Sequence, residues 1–306
     1  MRKIAILLCL TLLAMSLAAG VCSAAGSAKP VIVTTIYPLY DFTKQVTGGN
    51  ADVKLLVPAG VEPHDWEPSP ADLITIQNCD VFIYNGAGLE AWVDKIQNTV
   101  LKGKKVVNAA KSVPVLAAQY DEEGGPAEAG DLDPHIWLDP VNVMSIVDAI
   151  RQAVAGSDPV HKLEYQKNAE AYKQQLNTLH QQYVEGLQGR KTNEIVTSHA
   201  AFGYMAKRYG FQQIAIMGLS PEAEPTAAKM AETIEYVKRQ GIKYIFFETL
   251  VNPRLSEVIA AEAGAQTLVL NPIEGLTDDE IAQGQNYITE MQMNLVNLKY
   301  ALGIVK

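Results

Sequence analysis

Disulfides play no part in holding this chain together. Only three of its 306 residues are cysteine, and Cys9 and Cys22 fall within or at the edge of an apolar leader. Cys79 is left without an internal partner, so the rest of the chain folds on its hydrophobic core. It precedes the apolar run DVFIYNG and reads as a small buried residue. Basic charge is also scarce: 25 Lys and Arg stand against 34 Asp and Glu, a formal charge of −9. Without the leader, which holds Arg2 and Lys3 and no acid, −9 becomes −11. This acid excess argues against nucleic acid or an anionic membrane surface as partner, and suits cations. No HExxH or related helix-borne pair is present. Histidine is rare too, with five in all.

The first residues read as an export signal, placed at 1–25. Arg2 and Lys3 form a basic start, residues 4–21 carry no charge, and Ser23, Ala24 and Ala25 suit a cleavage site. The apolar run is also long enough for an uncleaved anchor. Cys22 offers a third route, a lipid anchor, although Val21 directly before it is a poor lipobox residue. The chain is expected outside the cytoplasm, periplasmic or tethered to the outer face of the cytoplasmic membrane.

Beyond the leader, short β runs alternate with helical stretches. VIVTTI, DVKLLVP, DVFIYNG and KKVVNA read as strands. The helices among them open at Pro38, cover about 70–77, and run through GLEAWVDKIQNTV; another covers about 139–155. Such alternation implies a parallel sheet with helices on its faces. Residues 119–134 (QYDEEGGPAEAGDLDP) are acidic, lack apolar periodicity and read as a mobile surface loop. Asp158, as N-cap, and Pro159 then start one long helix. In it Tyr165, Ala169, Tyr172, Leu176, Leu179, Tyr183 and Leu187 recur at steps of three and four, a single apolar stripe. Roughly thirty residues at about 1.5 Å each make a rod near 45 Å, enough to join two lobes.

The second half repeats the pattern. EIVTS, QQIAIMG, KYIFFET and QTLVLNP are strands, with AAFGYMAKRYG, PTAAKMAETIEYVKRQG and PRLSEVIAAEAG as helices and a last helix over about 286–302. The expected fold is α/β: two lobes, each a four-stranded mostly parallel sheet flanked by helices, joined by one long rigid backbone helix. The lobes are placed at 30–157 and 190–306, and the linking helix at 158–189.

Three of the five histidines stand in distinctive settings: His64 in GVEPHDWEPSP, His135 in DLDPHIWLDP and His199 in EIVTSHAAFGY. Neutral imidazole is a preferred ligand for a borderline divalent ion such as zinc. In open α/β sheets, ligands bind beyond the carboxyl ends of the strands. His64 follows the second strand, His135 the fourth, and His199 the first strand of the second lobe, so an interlobe cleft would gather all three. Glu248 ends the third strand of the second lobe, Glu274 follows the fourth, and Asp278 comes shortly after. Singly, each histidine also fits a satisfied polar loop residue; the set of three points to a metal.

Pro63 and Pro134 fix φ just ahead of two of these rings. Asp65, Glu67 and Asp139 are placed to accept from the distal ring nitrogens, or else to cap helices and face solvent. Trp66 and Trp137 would wall the site or fill the core. His161 and His180, on the long helix, read as structural or surface residues.

Taken together, TTIYPLYDFTKQVTGG, LLVPAGVEPHDWEPSPADL, DVFIYNGAGLEAWVDK, DPHIWLDPVN, SHAAFGY and NPIEGLT resemble the zinc/manganese cluster (A-I) of solute-binding proteins serving ABC transporters. The likeness runs over essentially the whole chain beyond the leader and is nearest the zinc branch. It implies two α/β lobes on a rigid helix, with metal ligands at His64, His135 and His199. The fourth ligand it implies is a carboxylate, Glu274 ahead of Asp278 and Glu248, or water. Manganese-type members carry a carboxylate where His199 stands, so the histidines point to Zn²⁺, with Mn²⁺ the alternative cargo.

The resemblance further implies a monomeric receptor, not an enzyme, that delivers its ion to a membrane permease. Two other functions stand beside it. Three histidines plus water is also a catalytic zinc set, which would make a hydrolase. Some family members are described as adhesins, though nothing in this sequence supplies a protein-binding face. One departure is plain: many zinc-type members have a His-rich acidic loop before the second ligand, and 119–134 has the acids without the histidines. A weak electrostatic funnel is the most that this loop implies.

Overall fold

Two sheets of the same topology divide the chain. In the computed structural model the described residues are 28–121, 125–221 and 225–305; the leader expected at 1–25 lies outside them. The first sheet holds β1 (Val31–Thr34), β2 (Asp52–Leu55), β3 (Val81–Tyr84) and β4 (Lys105–Asn108) in the order β2-β1-β3-β4. The second holds β5 (Glu194–Thr197), β6 (Gln212–Ala215), β7 (Tyr244–Phe247) and β8 (Gln266–Val269) in the order β6-β5-β7-β8. Every strand pairing is parallel. Strand order reverses beside β1 and beside β5, and crevices beyond the carboxyl ends open at such switch points.

The first sheet is flanked by α1 (Tyr37–Thr47), α2 (Pro70–Gln77), α3 (Trp92–Ile96) and α4 (Pro140–Ser157). α2 starts with a capping box in which Ser69 and Asp72 satisfy each other's backbone N–H groups. α3 is far shorter than GLEAWVDKIQNTV suggested. Gly86, Ala87 and Gly88 all take positive φ, at 79°, 53° and 96°, and the chain turns before it can coil. A Cβ on Gly86 would meet Asn108 Oδ1 at 2.3 Å, so only glycine fits that turn. The buried Glu90 carboxylate gathers the loop, accepting from Asn85 N and Gly86 N, each at 2.9 Å.

α5 (Lys162–Gly186) is the linking rod, 25 residues or about 37 Å. A 3₁₀ turn at Pro159–His161 precedes it. Asp158 does not cap the helix with its side chain, contrary to expectation. Its carboxylate is taken by the Tyr165 hydroxyl and His161 Nδ1, each at 2.6 Å. The expected apolar stripe is buried in full and packs against α1, α4 and, near the end of the chain, α10 (Tyr287–Ala301). Leu176 lies at its centre with no exposed surface. Leu176→Ala is expected to cost about 2–5 kcal/mol, read as a lower urea midpoint at unchanged m.

The second sheet carries α6 (Gly203–Tyr209), α7 (Ala227–Gln240) and α8 (Arg254–Ala263), followed by α9 (Asp278–Ala282) ahead of α10. Buried bonds tie the two lobes together. Trp137 Nε1 donates to Pro272 O at 2.7 Å, and the Tyr287 hydroxyl to Trp137 O at 2.6 Å. Tyr287 N donates to Asp41 Oδ2 at 3.1 Å, and one apolar cluster runs through both lobes. Trp137 is thus a core residue. Trp66 instead packs edge-on against Trp92 at 5.9 Å.

The acidic segment is not a free loop. Antiparallel bridges join Ala117 to Leu132 and Tyr120 to Pro126. Leu219 N donates to Asp121 O at 2.9 Å, and Lys229 Nζ sits 5.8 Å from the centre of the Tyr120 ring. The segment therefore reaches from the first lobe onto the second, by isolated contacts that leave no periodic trace in the sequence.

Candidate metal centre

The expected site residues follow strands in sequence, His199 and Glu274 closely, His64 and His135 after longer connections. The loop after β2 carries His64, and Gly60 N–H in it donates to Leu276 O at 3.1 Å, fastening it to the Glu274 loop. His135 precedes a single 3₁₀ turn, Ile136–Leu138, that leads to α4. His199 lies two residues after β5. Glu274 follows Ile273, whose φ of 59° is rare for a β-branched residue. Asn271 holds that backbone: its Oδ1 accepts from Ile273 N at 2.7 Å, and Asn294 Nδ2 braces Asn271 O at 2.7 Å.

The three imidazoles converge on one carboxylate oxygen. His64 Nε2 lies 3.2 Å from Glu274 Oε1, His135 Nε2 3.1 Å and His199 Nε2 3.4 Å. His135 Nε2 and His199 Nε2 are 3.3 Å apart. Among the described residues, His64, His135, His199 and Glu274 are the group whose donor atoms could hold a metal ion. Of the two other carboxylates considered, Asp278 opens α9, and Glu248 stands behind His199 with its oxygen toward Nδ1. A cavity of about 650 Å³, lined by Asp65, Asp121, Asp131 and Leu219 among others, opens onto His64.

The outward ring nitrogens are fixed by acids other than those expected. His135 Nδ1–H donates to Asp133 Oδ1 at 2.9 Å, and His199 Nδ1–H to Glu248 Oε1 at 2.6 Å. The Ser198 hydroxyl also donates to Glu248. Asp139 instead caps α4 through Val141 N at 2.9 Å and pairs with Arg208 at 2.6 Å. Glu67 faces Lys95 on the surface, and Asp65 is exposed. His161 pairs with Asp158, and His180 Nδ1 meets the Tyr209 hydroxyl at 3.3 Å. The signal for Asp133 was its place two residues before His135 across a proline; Glu248 showed only as an acid at a strand end.

Burial would raise Glu274, but His199, His135 and His64 hold it well below the ordinary carboxylate range. Burial would lower His135 and His199, yet the facing carboxylates raise both, His199 strongly. A fifth ionisable group had no sequence signal. Burial, and next the Glu274 carboxylate, push the Glu62 carboxyl up to about 10. Cys79 is buried, which lifts its thiol to about 11 and leaves it inert.

Two parallel α/β lobes on a rigid rod, with polar donors meeting in the cleft between them, define the architecture of a small-solute receptor. The chain belongs to the family described as ZnuA, zinc-uptake complex component A, periplasmic, whose pattern matches residues 32–301. It is 39% identical over 296 residues to the high-affinity zinc uptake system protein ZnuA of Bacillus subtilis, covering 93% of each chain. It is 44% identical over 305 residues to the zinc-binding lipoprotein AdcA of Streptococcus pneumoniae, covering 98% of this chain and 61% of that longer one. The Zn(II)-bound ZnuA-like domain of that AdcA superposes with a TM-score of 0.78 at 43% identity, covering 90% of this chain and 99% of the domain.

Proposed function

We propose that this chain is the extracytoplasmic receptor of a zinc uptake system, which captures Zn²⁺ in the interlobe cleft and passes it to an ABC permease. The observation that carries this reading is donor spacing. A tetrahedron with zinc bonds of about 2.0–2.1 Å has ligand-to-ligand edges of about 3.3 Å. The three distances from Glu274 Oε1 to the Nε2 atoms, and that between His135 Nε2 and His199 Nε2, fall between 3.1 and 3.4 Å, and all the donor atoms lie within 4.8 Å of one another. His64, His135, His199 and Glu274 are therefore assigned as ligands. The imidazole-rich set favours zinc over manganese, which prefers oxygen.

Glu274 takes the place that a hydrolase keeps for water, which supports a receptor over an enzyme. The leader at 1–25, with its basic start and uncharged run, supports export. Residues 30–157 and 190–306 serve as the lobes and 158–189 as the rod. The bonds through Trp137 and Tyr287 oppose any wide hinge motion on loading.

Calorimetric titration of the exported chain with zinc tests the assignment, with one ion per chain expected. His64→Ala is expected to lose binding while keeping the melting temperature of the metal-free protein. Absence of binding by the parent chain, or unchanged binding by the variant, refutes it. Glu248→Gln keeps the shape but weakens the acceptor behind His199, and is expected to lower zinc affinity about 10–100-fold in the same titration.

A further inference from the structure

The SHAAFGY segment supplies the ligand His199 and then a glycine and a tyrosine that touch no ion. Gly203 and Tyr204 open α6. Gly203 has helical backbone without positive φ, so its conformation does not call for glycine. Space does. A Cβ there would stand 2.7 Å from Asp133 Oδ2. Asp133 comes from the other lobe, and its Oδ1 aligns His135, accepting from His135 N at 3.0 Å and from Nδ1–H at 2.9 Å. A carboxylate is a rigid plane. Oδ2 cannot retreat from an added methyl group without swinging Oδ1 off the ring.

Tyr204 grips the same acid by its backbone. Its hydroxyl donates to Asp133 O at 2.8 Å and accepts from Leu116 N at 2.9 Å. Asp133 N in turn donates to Leu116 O at 3.0 Å, so one hydroxyl ties down both flanks of the acidic segment. Tyr204 and Asp133 are buried, and a buried polar group that loses its partner is costly. We propose that Gly203 and Tyr204 are positioning residues, which hold Asp133 from the opposite lobe and so align His135 for the ion. This rests on the reading of the cleft as a zinc site. It also couples the lobes: α6 follows the ligand His199 in the chain and steers the ligand His135 through space.

Three comparisons separate positioning from packing. Gly203→Ala sets one methyl group against Oδ2, and a cavity of about 570 Å³ beside Asp133 and Gly203 leaves room for the displaced carboxylate, so this variant is expected to fold. Tyr204→Phe removes only the hydroxyl. Gly203→Ala in an Asp133→Ala background adds the methyl where no carboxylate stands. Zinc affinity is measured by calorimetry, and the Nδ1–H protons of His135 and His199 by NMR of the zinc-loaded chains. Each single variant is expected to bind zinc about tenfold more weakly or worse, as loss of a partner behind a ligating histidine does. The His135 Nδ1–H resonance should shift, while that of His199, which rests on Glu248, stays in place. In the Asp133→Ala background the added methyl should change affinity by no more than about twofold.

Unchanged affinity in both single variants overturns the proposal. So does weaker binding with the His135 resonance unmoved, or a loss from Gly203→Ala that recurs in full without the Asp133 carboxylate, since packing alone would do that. If Gly203→Ala does not fold, Tyr204→Phe and its His135 resonance decide. A parent chain that binds no zinc sinks the receptor reading as well; a parent that binds zinc with both single variants unchanged sinks this inference alone.

Discussion

Alanine at position 199 is expected to remove zinc capture and to weaken the fold in a single step. The His199 ring is fully buried, with Nδ1 on Glu248 and Nε2 against Glu274. Structural zinc sites with four ligands yield about 10–16 kcal/mol, so each donor accounts for roughly 2.5–4 kcal/mol, on the order of a hundredfold in affinity. The loss to the fold has a separate cause. Without the ring, the buried Glu248 loses its imidazole partner, and Glu274 loses one of three. Breaking a buried pair from one side costs about 3–5 kcal/mol. His64→Ala provides the contrast. It removes the same kind of donor, but from the mouth of the cavity and with no acid stacked behind it, so affinity falls while metal-free stability holds. Zinc calorimetry and urea denaturation on the two variants separate these effects. A His199→Ala chain that binds zinc and unfolds like the parent would leave the cleft without its assigned role.

The three imidazoles were legible because each follows a strand, and the side on which a parallel strand ends is fixed by alternation alone. Once both halves read as β-helix-β, the edges that carry His64, His135 and His199 followed. Glu274 was chosen from the NPIEGLT likeness, and the structure places its oxygen among the three rings. What was not legible is whatever depends on side-chain reach. Closeness in sequence points to Asp65, Glu67 and Asp139 as acceptors. The acid that meets His135 is instead Asp133, since a proline between the two turns the carboxylate back on the ring. Glu248 comes from another strand 49 residues away, a pairing set by the β5–β7 neighbourhood rather than by any local pattern. The positive φ at Ile273 and the Asn271 brace had no signal either, because isoleucine rarely takes that conformation. Nor did Asp158 reveal that its carboxylate would meet Tyr165 rather than cap the helix.

Acid is expected to release the ion. In the metal-free cleft, burial alone would lower His135 and His199, but Asp133 and Glu274 raise the first, and Glu248 and Glu274 carry the second well above the ordinary 6.5. Glu274 is their counterpart, held well below the ordinary 4.5 by the rings even though burial opposes it. Near neutrality the empty cleft therefore holds imidazolium against carboxylate. Only a neutral ring nitrogen can bind zinc, so loading expels protons. Each proton expelled changes apparent affinity about tenfold per pH unit, and two change it about a hundredfold. Stability of the metal-free fold runs the other way. The raised imidazoles contribute fully below 6.5, and that contribution is lost as pH rises through their folded values. The depressed Glu274 contributes above 4.5, and is lost as pH falls through its folded value. The empty cleft is thus at its firmest between those limits, and above them zinc takes over the role of the protons. The rise in melting temperature produced by zinc should accordingly be larger at pH 8 than at pH 6. Calorimetry in buffers of different ionisation enthalpy should count protons leaving on loading. Zinc affinity that stays flat across this range, with no proton release, would mean that these rings do not hold the ion.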